Sequence, residues 1–241
     1  MGGINKPMST LTRKKKKQLY VRNEDGRQLK LDRPKNTHIA TEPIKDPRDI
    51  ELLLNFAWHR KELAETPFDK FIAHRNYLMV VVGMNTALRA EDLLQLKVKN
   101  VKKGRIDVTE NKTGKDQHFE MNKWLYEKIL AFISEWKLDD EEYLFQSRNE
   151  KKIKGSCVQR PITRKMSHNI MREFQSVIDY KGSFGLHSLR KTFGYQYIKS
   201  GGQWITLCKM YNHSNPTVTM RYVCWTDEDY QTARKGFKVG L

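Results

Sequence analysis

The stretch Gly185-Leu-His187-Ser-Leu-Arg190-Lys-Thr-Phe-Gly-Tyr-Gln-Tyr-Ile-Lys-Ser200, continued through His213-Ser214 to Tyr222, decides the reading of this chain. His187 and Arg190 are three residues apart, so on a helix they share one face. There Arg190 can fork two N–H bonds to a phosphate, with His187 beside it to exchange a proton. His213 follows 23 residues after Arg190, and Tyr222 nine after that. Upstream, Thr86-Ala87-Leu88-Arg89-Ala90-Glu91-Asp92-Leu93 sets a second arginine at a helix start.

Periodicity places these residues in a mostly helical domain. Apolar spacing predicts helices over Arg48–Trp58 (behind the cap Asp46-Pro47), Phe68–Thr86, Arg89–Leu96, Trp124–Trp136, Ile162–Tyr180, His187–Ser200 and Gln203–Tyr211. Gly201-Gly202 separates the last two. Thr226, followed by Asp227, Glu228 and Asp229, predicts a final helix, because acidic side chains favour a first turn. The period changes to two over residues 105–121, around the turn composition Asn111–Asp116, which predicts a β-hairpin with Lys112 and Lys115 on its turn. Residues 146–161 are polar and read as a loop. The expected fold class is therefore mainly α with one small antiparallel β-hairpin.

Composition bounds the partner. The 241 residues hold 45 Lys and Arg against 28 Asp and Glu, a formal net charge of +17, which argues for a polyanion, nucleic acid first. Residues 1–45 carry 12 of those basic residues against 4 acidic ones, leaving +9 for the rest. This segment, with Arg13, Lys14, Lys15, Lys16 and Lys17, reads as a basic arm that is flexible or contacts DNA, with a short extended piece at Leu19-Tyr20-Val21. Domain division is expected at 45/46, with the catalytic part over 46–241 and a tail helix over 226–237. Cys157, Cys208 and Cys224 are odd in number and lack CxxC spacing, so reduced thiols are expected rather than disulfides or zinc. No apolar run suits a spanning helix, and Met1–Thr10 lacks the apolar core of a signal peptide. A GxxxxGK[ST] loop is missing, and the acidic run Asp139–Glu142 reads as surface rather than a two-metal site.

Taken together, Arg89 in a Thr-x-Leu-Arg stretch, a hairpin lysine, His187-x-x-Arg190, His213 and Tyr222 resemble the tyrosine recombinase (phage integrase) family over about residues 46–235. The Lys-Thr-Gly order favours Lys112 over Lys115 as the hairpin lysine. Two positions depart from the family pattern. Tyr211-Asn212 replaces Leu-Gly before the second histidine, where Asn still tolerates a left-handed backbone, and Asp92 stands where Glu is frequent.

The resemblance implies the DNA breaking-rejoining fold and a site-specific recombinase that works without metal or cofactor through a 3′-phosphotyrosyl intermediate. It implies Arg89, Lys112, His187, Arg190, His213 and Tyr222 as the catalytic set, with Lys115 and Lys191 as further DNA contacts beside the basic arm. It also implies double-stranded attachment sites, a synaptic tetramer, an accessory DNA-bending or directionality factor, and a cytoplasmic, nucleoid-associated setting in a prokaryote or phage. Tyr230 and Phe237 become anchors for a tail that packs on a neighbouring subunit or on its own domain. Two other readings share these residues: a DNA-binding regulator without strand exchange, and a type IB topoisomerase-like enzyme.

Overall fold

In the computed structural model the described residues are 20–22, 28–30, 41–147, 151–153, 156–178, 180 and 182–239. The chain divides into two compact units, Met1–Ile39 and Ala40–Leu241. In the first, β1 (Tyr20–Arg22) pairs antiparallel with β2 (Gln28–Lys30), Val21 opposite Leu29. The basic run Arg13–Lys17 lies outside the described residues.

The second unit is organised around one buried helix. Asp46 opens α1 (Pro47–Glu62), its carboxylate accepting from Arg48 N at 2.9 Å, and Pro47 supplies a preset φ for the first turn. Thr66 and Pro67 repeat this device for α2 (Pro67–Asn85), where Thr66 Oγ1 accepts from Asp69 N at 3.1 Å. Leu78 through Val82 have no solvent exposure, because α2 is apolar on all sides from Tyr77 to Met84 and its neighbours surround it there. Each such Leu, Val or Met contributes roughly 1.5–3 kcal/mol of transfer free energy. After α2, Ala87 adopts φ 54 and turns the chain into α3 (Ala90–Leu94), with Arg89 at its N-cap.

The hairpin forms as β3 (Arg105–Thr109) and β4 (Asp116–Glu120), with Thr109 opposite Asp116. Gly114 takes φ 65 in the connecting turn, a conformation that disfavours a Cβ. Next comes α4 (Lys123–Trp136), capped by Asn122 and ended by Lys137 at φ 52. A further hairpin, β5 (Lys151–Ile153) with β6 (Ser156–Val158), replaces the loop expected over 146–161, since its three-residue arms are too short to show a period of two. The helix expected over Ile162–Tyr180 is the shorter α5 (Arg164–Gln175). Thr163 caps it by accepting from Met166 N, and Ile162 N instead bonds Phe145 O at 2.8 Å.

The C-terminal part comprises α6 (Leu186–Lys199), α7 (Trp204–Met210), α8 (Pro216–Tyr222) and α9 (Asp227–Gly236). Periodicity missed α8, which has only seven residues and depends on the Asn215 cap and Pro216. A second small core of Ala87, Ile198, Leu207, Tyr211 and Val223 supports this part, with Tyr222 packed against it. Gly194 of α6 belongs to that support. A Cβ there would come within 2.2 Å of Tyr211 Oη and 2.7 Å of Val223 Cγ1. Gly194→Ala is expected to destabilise the fold by about 1–3 kcal/mol through overpacking. A lowered urea midpoint would measure this, and an unchanged midpoint would count against it.

Residues 41–45, assigned by composition to the arm, pack on α6 instead. Ile44 is 2% exposed and its N donates to Thr192 Oγ1 at 2.8 Å. Gln196 Nε2 donates to the carbonyls of Ile44 and Lys45, and Glu42 N donates to Tyr180 Oη. Pro43-Ile44 gave no periodic signal, so backbone bonding to a distant helix went unread. The tail helix is held on its own domain: Asp229 accepts from Tyr195 Oη at 2.6 Å, pairs with Lys45 at 2.9 Å and caps α9 through Thr226. Tyr230 contacts Met220 Sδ and Trp225, while Phe237 remains 75% exposed.

Candidate active site

Arg89, Lys112, His187, Arg190, His213 and Tyr222, which the sequence scatters over 134 positions, line one cleft of about 540 Å³. Ala90, Glu91, Asp92 and Arg164 complete its walls. Lys115 is exposed on the same turn and does not line the cleft.

Arg190 is 2% exposed near the start of α6. One terminal nitrogen donates to the carbonyl of Ala87 and the other to Tyr211 O at 3.1 Å. The left-handed turn at Ala87 thus delivers a carbonyl to the arginine that shares the cleft with Arg89. The Arg190 guanidinium carbon lies 4.6 Å from the Tyr211 ring centre and 5.9 Å from that of Tyr222. Burial and then the neighbouring Arg89 lower its pKa, while the two tyrosines raise it, and a guanidinium stays charged at neutral pH throughout. Arg89 is less buried, pairs with the carboxylate of Glu110 and reaches Tyr211 O at 3.5 Å.

The phenol of Tyr222 ends α8. Burial pushes its pKa above the ordinary value, and the charges of Arg190 and Arg89 and a hydrogen bond from Arg190 pull against that. Its ring lies edge-on to His213 and Tyr211, with centroids 5.2 Å from each. Burial, then Arg190 and Arg89, push the imidazole of His213 down to about 4, so it is neutral at pH 7. Its Nδ1 lies 3.0 Å from Thr219 Oγ1. If that hydroxyl donates, Nε2 carries the proton and can donate to an incoming oxyanion. His187 faces solvent, yet partial burial followed by Arg190, Arg164 and Lys191 lowers its pKa as well. A neutral imidazole at that place can accept a proton.

Asn212, the departure before His213, adopts φ 53 as its side chain allows, and its amide donates to Glu110 at 3.1 Å. Asp92, the other departure, accepts from Asn111 N at 2.9 Å and so grips the lysine turn. Two residues that build the site, Glu110 behind the cleft wall and Arg164 in it, escaped sequence reading. Glu110 looks like ordinary charge beside a turn but is 1% exposed. Arg164 adds a cation at the start of α5, paired with Glu91 at 2.8 Å, and its signal was the Thr163 cap that fixes where α5 begins. Lys191 differs from expectation too. Its ammonium donates to Thr41 O at 2.6 Å, touches Cys224 Sγ at 3.5 Å and sits 5.2 Å from the Tyr222 ring centre, because α6 turns it toward residues 41–45.

Among the described residues no group of three His, Cys, Asp or Glu is placed to hold a metal, and no helix is long and apolar enough to cross a membrane. Cys208 and Cys224 are unpaired thiols. The acidic run 139–142 lies on the surface, Asp140 pairing with Lys102 and Glu141 with Lys97 and Lys99.

Residues 49–229 match the phage integrase family, and the chain belongs to that family. Its class is that of the tyrosine-type recombinases. The chain is 36% identical over 166 residues to the probable integrase/recombinase YoeC of Bacillus subtilis (strain 168), covering 68% of this chain and 84% of YoeC. It is 25% identical over 185 residues to a tyrosine recombinase of Pseudothermotoga lettingae, covering 76% of this chain and 56% of that protein. The fold is similar to that of the XerH site-specific recombinase bound to a palindromic difH substrate in a post-cleavage complex. There the TM-score is 0.59 at 17% identity, over 89% of this chain and 59% of the other. The chain thus spans little more than half the length of the last two.

Proposed function

We propose that this chain cuts and rejoins double-stranded DNA at specific sites, with Tyr222 as the nucleophile. The observation that carries the reading is one cleft holding a half-buried phenol, two arginines, two neutral histidines and a lysine on a turn. A scissile phosphate seated between Arg89 and Arg190 would have its developing negative charge met by fixed donors, which usually supply the largest part of such catalysis. The same charges favour the phenolate. Tyr222 Oη attacks phosphorus and its proton passes to His187. The bond from phosphorus to the 5′-oxygen breaks, and Lys112 Nζ gives that oxygen a proton. His213 Nε2 donates to a phosphate oxygen. The product is a 3′-phosphotyrosyl link and a free 5′-hydroxyl. The link conserves the bond energy, so a second strand's hydroxyl can reverse the step without a nucleotide cofactor.

Further parts of the reading follow from the family. The partners are DNA attachment sites, four protomers in the synaptic complex and an accessory DNA-bending or directionality factor, in the cytoplasm at the nucleoid. The exposed Phe237 suits a tail that reaches a neighbouring protomer beyond the point where Asp229 fixes α9. Lys115 and the Arg13–Lys17 run would add phosphate contacts that make affinity steeply salt-dependent.

The test is to trap the chain on nicked duplexes taken from DNA flanking its gene, digest the covalent product and map the modified peptide. A nucleotide on Tyr222 supports the reading. A nucleotide on another residue, or no adduct on any flanking sequence, overturns it.

A further inference from the structure

Glu110 is the point at which three catalytic segments meet. It follows the last residue of β3, and its backbone closes the lysine turn: its N donates to Lys115 O and its O accepts from Gly114 N, both at 2.9 Å. Its carboxylate is buried, yet it is fully engaged. Oε1 takes Arg89, Gln117 Nε2 and Asn212 Nδ2, and Oε2 takes Thr113 Oγ1. Burial opposes ionisation, but the hydrogen bonds from Thr113, Asn212 and Arg89, with the charge of Arg89, outweigh it and hold the carboxyl below its ordinary range. The residues on both sides of Lys112 are therefore tied. Asp92 holds Asn111 N, and Glu110 holds the Thr113 hydroxyl.

We infer that Glu110 is a positioning residue, which locks the Lys112 turn to Arg89 and to the His213 turn so that leaving-group protonation and phosphate binding share one geometry. This inference rests on the cleavage reading above. Arg89 has its inner edge on Glu110 and keeps further N–H groups for a phosphate. Asn212 gives the His213 turn its own tie to the same carboxylate, a bond that glycine at this position would lack. A lysine on an exposed turn needs such anchoring. Its side chain has many rotamers, and a reacting group displaced by about 1 Å loses on the order of 10²-fold in rate.

The test compares Glu110→Gln, Thr113→Val and Lys112→Ala with the native chain on two nicked substrates. One carries the ordinary 5′-oxygen at the scissile link and the other a bridging 5′-sulfur, whose thiolate leaves without a proton. Glu110→Gln is expected to cleave the oxygen substrate about 10²-fold more slowly, with melting still cooperative. Thr113→Val alters only an exposed side chain and is expected to slow cleavage about 10-fold, as a smaller displacement of the same lysine. Both defects should shrink on the sulfur substrate, as that of Lys112→Ala should. Glu110→Gln should keep part of its defect there, because Arg89 is also displaced. Equal losses on the two substrates, or oxygen-substrate rates close to native, overturn the inference.

Amide exchange of residues 111–115 in the DNA-free chain gives an answer independent of cleavage. Faster exchange in Glu110→Gln and Thr113→Val supports the tether, and unchanged exchange overturns it. If the native chain forms no adduct, the cleavage reading fails, and amide exchange still decides the tether.

Discussion

Tyr222→Phe is expected to bind attachment-site DNA within about twofold of the native chain and to form no covalent adduct. The substitution removes one oxygen from a ring that keeps its packing against Tyr211, His213 and the second core. Phosphate contacts made by Arg and Lys dominate DNA affinity, and a phenol supplies little of it. Tyr211 Oη, within the same ring cluster, does not stand in for the lost oxygen: it is spent on Arg190 O, and burial, with Tyr222 beside it, pushes that phenol far above its ordinary range. Gel shifts with labelled duplex, followed by denaturing gels on a nicked substrate, measure both quantities. Residual adduct in Tyr222→Phe would assign the nucleophile elsewhere.

Arg190→Ala should lose rate and stability together. A donor fixed against the developing charge contributes about 10²–10³-fold in rate. Arg190 has a second task in the free protein, because it is 2% exposed and bonds the carbonyls of Ala87 and Tyr211. Removing it strands the buried carbonyl of Ala87, at about 1–3 kcal/mol, and leaves Tyr211 O with the longer 3.5 Å bond from Arg89. Arg89→Ala leaves the Ala87 turn bonded but takes the charged partner from the buried Glu110 carboxylate, so it too is expected to lose rate and melting temperature together. Single-turnover cleavage at saturating DNA, with thermal melts of the same samples, checks the pair. Cleavage by Arg190→Ala within about threefold of native would remove it from the reaction, since the fixed-donor argument requires far more.

Much of the site was legible because chemistry restricts residue type. His187-x-x-Arg190, His213 and Tyr222 are read from residue type and order alone, and the fold brings them to one cleft. Long helices were legible for a different reason: α1 and α4 each carry enough turns to display a period, and α2 carries a long apolar run. Shorter elements gave no such signal. The strand pair β5–β6 and helix α8 depend on caps and tertiary contact. Glu110 was invisible because nothing local distinguishes a buried carboxylate from a solvated one beside a turn. Its burial is created by Arg89 and Asn212, which lie 21 residues before and 102 after it. The bond that Lys191, expected as a DNA contact, makes to Thr41 O was invisible on the same ground, since Thr41 lies 150 positions away.

The packing of residues 41–45 has a consequence for the order in which the chain matures. Their bonds reach Tyr180, Thr192, Lys191, Gln196 and Asp229, partners separated from them by 138 to 184 positions. During synthesis this segment leaves the ribosome early and finds nothing to bind until α6 and α9 follow. Such distant pairings carry a loop-closure cost before they yield any stabilisation, so they form late. Pulse-labelled hydrogen exchange is expected to find the Ile44 amide among the last to gain protection; early protection would contradict that order. The neighbourhood of Tyr222 would then close only once α6 and α9 have been made, and a nascent chain that stalls before α6 would emerge without the cleft.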